Sequence, residues 1–374
     1  MDQSIRDLFP AARKFTYLNS AAIGPLSTVT IKAVASQLED VAANGSANMC
    51  EWFETQERVR RLAASMLGVK ADDIAFTRNT SDGLCSVASG MRWAPGDNIV
   101  SFAEEFPANF YPWRKLRDEH GVELRLCPER DGCIDVEALC DLVDARTRLV
   151  TVSAVQYSTG FRIDLERIGR EARHVDALFG VDIIQAFGAL PLDLSACRVD
   201  IAAGASYKWL CAPQGCGILY LSERARERVK PCSTGWLGVQ DPWDFDDREQ
   251  ECRSDGRSWE TGTGAFALMY GLEKSLELLR TLGPEKIAEY LRELTDFLCE
   301  ILPLKRYSIV SSRDPAQRSQ IVSIEPHNGM GAQAVADILK QENIVVSARG
   351  RRVRIAPHIF NNFADIERLA ACLP

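Results

Sequence analysis

Through its first two-thirds this 374-residue chain alternates short apolar runs with amphipathic stretches, a pattern that leaves few folds open. Residues 74–77, 98–102, 149–153, 178–184, 199–203 and 217–221 read as strands. Around and between them, residues 58–67, 80–91, 111–119 and 165–177 read as helices. Strands this uniformly apolar need cover on both faces, so the expected fold class is α/β with a mostly parallel sheet. After an acidic, tryptophan-containing loop at 240–258 the pattern changes to two long helices, 265–282 and 284–302, and then to a smaller α+β unit with a strand at 320–324. The change near Gly264 sets the expected organisation: a large domain of residues 21–264, and a small C-terminal α+β domain of residues 265–374 onto which residues 1–20 cross back.

With 46% apolar and 26% charged residues the chain can bury a large core, which argues against disorder. A formal charge of −8 with no basic run leaves no footprint for nucleic acid or an anionic membrane, so a small-molecule substrate is expected. Residues 1–15 lack a secretory apolar core, and the apolar stretch at 177–184 is short and broken by Asp182, which points to a cytoplasmic protein. The twelve cysteines form no CxxC pair and read mostly as small reduced hydrophobes; with only four histidines, no metal centre is expected.

The lone acid in Val181-Asp182-Ile183-Ile184-Gln185 is followed a short way on by Ser206-Tyr207-Lys208-Trp209. A carboxylate inside an apolar strand is costly unless something positive meets it. A lysine placed soon afterwards is the usual covalent anchor of pyridoxal phosphate, and the pair points to that cofactor. Asp182 would keep the pyridine nitrogen protonated and the ring electron-accepting. Lys208 would anchor the aldehyde and, once displaced by a substrate amine, act as the base that moves the α-proton. The plainer readings are a turn-capping aspartate and a surface lysine. Flanking Val181, Ile183 and Ile184 weigh against the first, and Tyr207, Trp209 and Leu210 against the second.

Other segments make best sense around a phosphorylated ring. Thr77-Arg78-Asn79-Thr80-Ser81-Asp82-Gly83 follows a strand and opens a helix, so the Thr80 and Ser81 hydroxyls and the helix dipole could hold a phosphate; a plain helix cap would carry the same pattern. In Phe106-Pro107-Ala108-Asn109, Phe106 could stack on the ring or simply fill core, and Asn109 could hydrogen-bond near the ring's phenolic oxygen. Gln185 faces a similar choice between that oxygen and solvent.

Taken together these residues resemble the class V aminotransferase superfamily of fold-type I pyridoxal phosphate enzymes, which includes cysteine desulfurases, kynureninases and isopenicillin N epimerase-like proteins. The likeness runs from Tyr17-Leu18-Asn19-Ser20-Ala21-Ala22 to Arg354-Ile355-Ala356-Pro357-His358. It implies that Thr80 and Ser81 bind the phosphate, that Phe106 stacks on the ring, and that Asp182, Gln185 and Lys208 hold nitrogen, oxygen and aldehyde. It further implies that Tyr207 reaches the phosphate and that Thr263, in Glu260-Thr261-Gly262-Thr263, reaches the phosphate of a neighbouring subunit, so that a homodimer completes each site. Arg354 matches the arginine that binds the substrate's α-carboxylate, although Arg349, Arg351 and Arg352 crowd the same stretch and a surface role is the plainer reading. Asn19, Ala21 and His358 fall on the substrate side, where His358 and Tyr17 are possible donors with a structural alternative.

Departures from the family pattern narrow the reaction. Cysteine desulfurases carry a mobile cysteine before the carboxylate-binding arginine, but none occurs here between Cys299 and Cys372. They also stack a histidine where Phe106 stands, and a phenyl ring exchanges no protons, so persulfide chemistry is disfavoured. Transamination, α-epimerisation and β-elimination all begin with the same deprotonation and remain open. The favoured reading is an aminotransferase-like enzyme acting on an amino acid, with a C–S lyase or epimerase as the alternative. A regulator that binds the cofactor without turnover is further off, since the chain has no spare length or basic helix for a DNA-binding domain.

Overall fold

The computed structural model of the chain describes residues 1–327 and 329–374. Two long helices, α1 (Thr28–Asn44) and α2 (Met49–Leu67), lead into β1 (Ile74–Thr77), α3 (Thr80–Gly90), β2 (Asn98–Phe102), α4 (Tyr111–His120) and β3 (Glu123–Cys127). Next come β4 (Thr147–Ser153), α5 (Leu165–His174), β5 (Leu178–Asp182), β6 (Ile201–Ala205) and β7 (Gly217–Leu221). The seven strands form one sheet in the order β1-β7-β6-β5-β4-β2-β3, parallel except for β7, which runs antiparallel to both of its neighbours. Alternate residues feed two cores, one on each face. Leu149, Leu178 and Leu219 go to one, and Val150, Phe179 and Ile218 to the other, as the two-residue period of a strand requires. The fold is therefore the mostly parallel α/β layer expected.

The C-terminal third adds α6 (Phe266–Leu282), α7 (Pro284–Ile301), β8 (Tyr307–Ile309), β9 (Val322–Pro326), α8 (Ala332–Gln341), β10 (Ser347–Arg349), β11 (Arg352–Ile355) and α9 (Phe363–Cys372). Strands β8-β9-β11-β10 make a four-stranded antiparallel sheet with its own core. The two cores divide later than Gly264. Helix α6 lies on α1 and α2 and sends Met269, Leu272, Leu276 and Leu279 under the large sheet. Helix α7 spans the change, with Ile287 and Leu291 in the large core and Leu294 and Leu298 in the small one. The N-terminal segment crosses over by pairing Thr16 and Tyr17 in parallel with Ile344 and Val345, while Phe9 and Ala12 stay in the large core.

Some elements differ from expectation by a register step. The strand expected at 199–203 is Ile201–Ala205; just before it, the Asp200 carboxylate accepts from Phe179 N and pairs with Arg224. The strand expected at 178–184 ends at Asp182, whose carboxylate caps Ile184 N at 2.8 Å. No described helix is long and apolar enough to cross a membrane.

Candidate active site

The carboxyl ends of the parallel strands open onto a cavity of about 830 Å³, the expected place for a ligand in a doubly wound sheet. Lys208 stands in the loop between β6 and β7, which is closed by Ser206 N to Cys216 O at 3.0 Å and Ala212 N to Ser206 O at 3.1 Å. Neighbouring segments pin this loop. Gly24 N donates to Tyr207 O at 2.7 Å, and a Cβ on Gly24 would lie 1.9 Å from the Lys208 carbonyl oxygen, so only glycine allows that approach. Trp209 is fully buried; its Nε1 donates to Gln185 Oε1 at 2.8 Å, and its carbonyl accepts from His358 Nε2 at 2.7 Å. The lysine itself is 5% exposed, with Nζ 5.4 Å from the centre of the Phe106 ring. Burial pulls its ammonium below the ordinary lysine value against the charge of Asp182, and Arg354 and Arg349 add to the lowering.

Asp182 closes β5 at 1% exposure. One carboxylate oxygen accepts from Ile184 N, while Oδ2 is buried with no hydrogen-bond partner among the described residues. Burial raises this carboxyl above the usual range, while the Ile184 amide and Lys208 hold it down. A buried acceptor left bare costs free energy, so the site is built for a donor from outside the chain. On another wall, Asn79 caps α3 by accepting from Asp82 N at 2.9 Å, and Thr80 Oγ1, beside Ser81 at the helix N-terminus, is buried with no partner among the described residues. That is a place for an anion.

Arg354 reaches the cavity from β11 at 1% exposure, with Nη1 donating to Tyr157 O at 2.8 Å, Nη2 to Ser347 Oγ at 3.5 Å and Nε unpartnered. Burial, and then the charge of Arg349, pull its pKa down to about 9. A buried guanidinium with no carboxylate partner among the described residues suits one brought by a ligand. Ala21 also lines the cavity, and its carbonyl accepts from Gln185 Nε2 at 3.0 Å. Gln185 is thus sealed from solvent and holds the cavity wall through both ends of its amide.

The structure brings Thr80, Ser81, Phe106, Asp182, Gln185, Tyr207, Lys208, Ala21 and Arg354 to this one cavity. It does not bring every candidate. Asn109 is buried behind the wall, its Oδ1 taken by Trp113 Nε1 at 3.0 Å and Thr151 Oγ1 at 2.8 Å. His358 is fully buried under Trp209; because a carbonyl only accepts, Nε2 carries its proton, and burial lowers its pKa to about 4. Asn19 acts at one remove, accepting from the Ser347 hydroxyl that touches Arg354. Tyr17 donates to Ile23 O at 2.6 Å, and burial pushes it up to about 12. Thr263 lines a neighbouring cavity of about 620 Å³ that shares Arg78 and Gly215 with the first.

Sequence reasoning missed two groups. Tyr157 meets Phe106 edge to face at 5.2 Å and supplies the carbonyl that holds Arg354; its position just beyond β4, a parallel strand's carboxyl end, was the available signal. Glu105 lies buried beneath Phe106, accepts from Phe106 N at 3.2 Å and from the Ser153 amide and hydroxyl, and is pushed up to about 8 by burial, with the charge of Asp182 adding to the rise.

The family model described as aminotransferase class-V matches residues 16–369, and the chain belongs to that pyridoxal phosphate-dependent family of enzymes. A probable cysteine desulfurase of Methanothermobacter thermautotrophicus is 27% identical, covering 99% of this chain and 97% of its own. Among solved structures, the apo cysteine desulfurase of Thermococcus onnurineus superposes with a TM-score of 0.90 at 22% identity, covering 99% and 96% of the two chains. The cystine C–S lyase C-DES, in complex with its product cysteine persulfide, superposes at 0.87 with 24% identity over 98% of each chain. The bare oxygen of Asp182, the bare hydroxyl of Thr80 and the sheltered amine of Lys208 fit the family's coenzyme. When bound, it supplies an aldehyde for covalent attachment and a ring that accepts electrons from the substrate's α-carbon.

Proposed function

We propose that this enzyme acts at the α-carbon of an amino acid by a single-base route whose outcome is amino-group transfer. The carrying observation is the placing of Lys208: a buried amine of lowered basicity, 5.4 Å from the Phe106 ring, in a cavity that also presents the free oxygen of Asp182 and the free guanidinium edge of Arg354. In this reading Arg354 takes the α-carboxylate and thereby orients the α-carbon. Lys208 would receive the α-proton and deliver it to the coenzyme's aldehyde carbon, Asp182 would hold the ring nitrogen's proton, and Thr80, Ser81 and Tyr207 would face the phosphate. Neither histidine nor cysteine occurs among the residues lining the cavity, which favours one lysine handling the proton in both directions.

A second reading, β-elimination with cleavage of a C–S bond, needs the same lysine and is favoured by relatives named as desulfurases and a C–S lyase. The two part on products. Purified yellow protein mixed with a panel of amino acids and keto acids, assayed for keto acid, pyruvate, sulfide and inverted enantiomer, decides between them. Conversion of the coenzyme to its amine form with release of the matching keto acid supports transfer. Pyruvate with sulfide and no such conversion replaces it with elimination, and racemised substrate alone replaces both with epimerisation.

The working unit in this proposal is a homodimer. Thr263 is exposed beside an exposed aromatic group, Trp236, Trp243 and Phe245, and both suit a facing copy. A Thr263→Ala substitution that leaves coenzyme affinity unchanged removes Thr263 from the shared site. All twelve cysteines are free, which suits a reducing, cytoplasmic setting.

A further inference from the structure

We infer that the substrate is an amino acid whose side chain carries a second acidic group, received by Arg349. This rests on the reading above, in which Arg354 takes the α-carboxylate. The strand pair β10–β11 carries Arg349, Arg352 and Arg354, with Arg351 in the turn between. Two of the four are matched: Arg352 Nη2 meets Glu129 Oε1 at 2.6 Å, and Arg351 Nε lies 3.5 Å from Glu325 Oε1. The two that line the cavity, Arg349 and Arg354, have no carboxylate partner among the described residues. Among the described residues Arg349 makes one hydrogen bond, from Nη1 to the carbonyl of Ala348 at 2.7 Å.

Register puts both on the same wall. Arg349 pairs with Arg352, and Ser347 pairs with Arg354, so Arg349 and Arg354 are diagonal neighbours on one face of the ladder. Two guanidiniums held near each other in a half-dry cavity repel, and that arrangement is costly unless a ligand brings negative charge to both. The other cations of the cavity are already answered. Arg78 pairs with Asp82 at 2.6 Å, Lys208 faces the charge of Asp182, and a phosphate has the N-terminus of α3. With Arg354 fully buried and given to the α-carboxylate, Arg349 is left over. It is only partly buried, nearer the mouth, where the far end of a substrate side chain would lie.

The test is equilibrium binding by titration calorimetry to the holoprotein and to the coenzyme-free protein. The probes are L-aspartate, L-glutamate and L-2-aminoadipate, with L-asparagine, L-glutamine and L-alanine as uncharged counterparts. One acidic member should bind about tenfold to a hundredfold more tightly than its uncharged counterpart, the worth of a charge-assisted pair. Arg349→Gln should erase that gap while costing alanine far less than the acid, and Arg349→Lys should keep part of it. Arg354→Gln should weaken all the probes alike. A wild-type protein that does not distinguish acids from amides overturns the proposal without any variant. So does an Arg349→Gln protein that loses alanine as strongly as aspartate, or that loses coenzyme affinity, since either places Arg349 on the α-carboxylate or the phosphate. Failure of the underlying reading shows differently, as a purified protein that never takes up the yellow coenzyme.

Discussion

Lys208 and Asp182 are each expensive to bury alone, and their value lies in sharing one dry space with a ligand that needs both. Replacing Lys208 with alanine should abolish the absorbance of lysine-bound coenzyme; a retained band would place the anchor elsewhere. For Arg354→Ala, steady-state kinetics should show KM for amino acids rising roughly tenfold to a hundredfold, and an unchanged KM would take the residue out of substrate binding. His358 answers to pH through folding. Its pKa is lowered from 6.5 to about 4 in the folded chain, so between those values the unfolded chain binds a proton that the folded one refuses. Stability is therefore fully present above pH 6.5 and falls by about 3 kcal/mol as pH drops toward 4. Denaturant midpoints measured across that window should flatten in His358→Gln, and an equally steep decline would assign the acid sensitivity to other groups.

At the level of elements, what could be read in advance was whatever burial stamps on composition. Strands β2 and β7 are found at the expected residues because their apolar runs lie inside the sheet, edge strand β1 because Ile74 and Ala75 are fully buried, and Asp182 and Lys208 stood out because charge is rare in such surroundings. Elements that face water on one side left a fainter mark. Helix α1 was not anticipated, since Ile31, Leu38 and Val41 are exposed and blur its apolar face; neither was edge strand β3, where Cys127 is the one fully buried residue. Tyr157 and Arg349 meet at the cavity from loop and strand far apart in sequence; the place of Tyr157 beyond a strand end marked it, but no local pattern ties it to Arg349. The same holds for the approach of Gly24 to the lysine loop, which gives a prediction at this scale. Gly24→Val should force the N-terminal segment off the Lys208 carbonyl, lower the melting temperature by several degrees and speed loss of coenzyme. Gly331→Ala, with open space around its Cβ, should match the parent in both measurements.

For the molecule as a whole, an exposed group such as Trp236, Trp243 and Phe245 would be a liability in a lone chain. Sedimentation velocity should find twice the chain mass at micromolar concentration, and Trp243→Asp combined with Phe245→Asp should shift it to one; a parent already at single-chain mass would end the dimer proposal. One long-range pairing has a consequence for biosynthesis. Thr16 and Tyr17 lie beside Ile344 and Val345, Ser20 N donates to Ala356 O, and the residues just after them carry Gly24 against Lys208. The segment translated early must therefore wait for one translated more than three hundred residues later before it can settle. A ribosome-bound chain lacking that later stretch already carries Thr80, Asp182 and Lys208 but neither Arg354 nor a seated N-terminal strand, so the wall that meets the amino acid is completed only once synthesis nears its end.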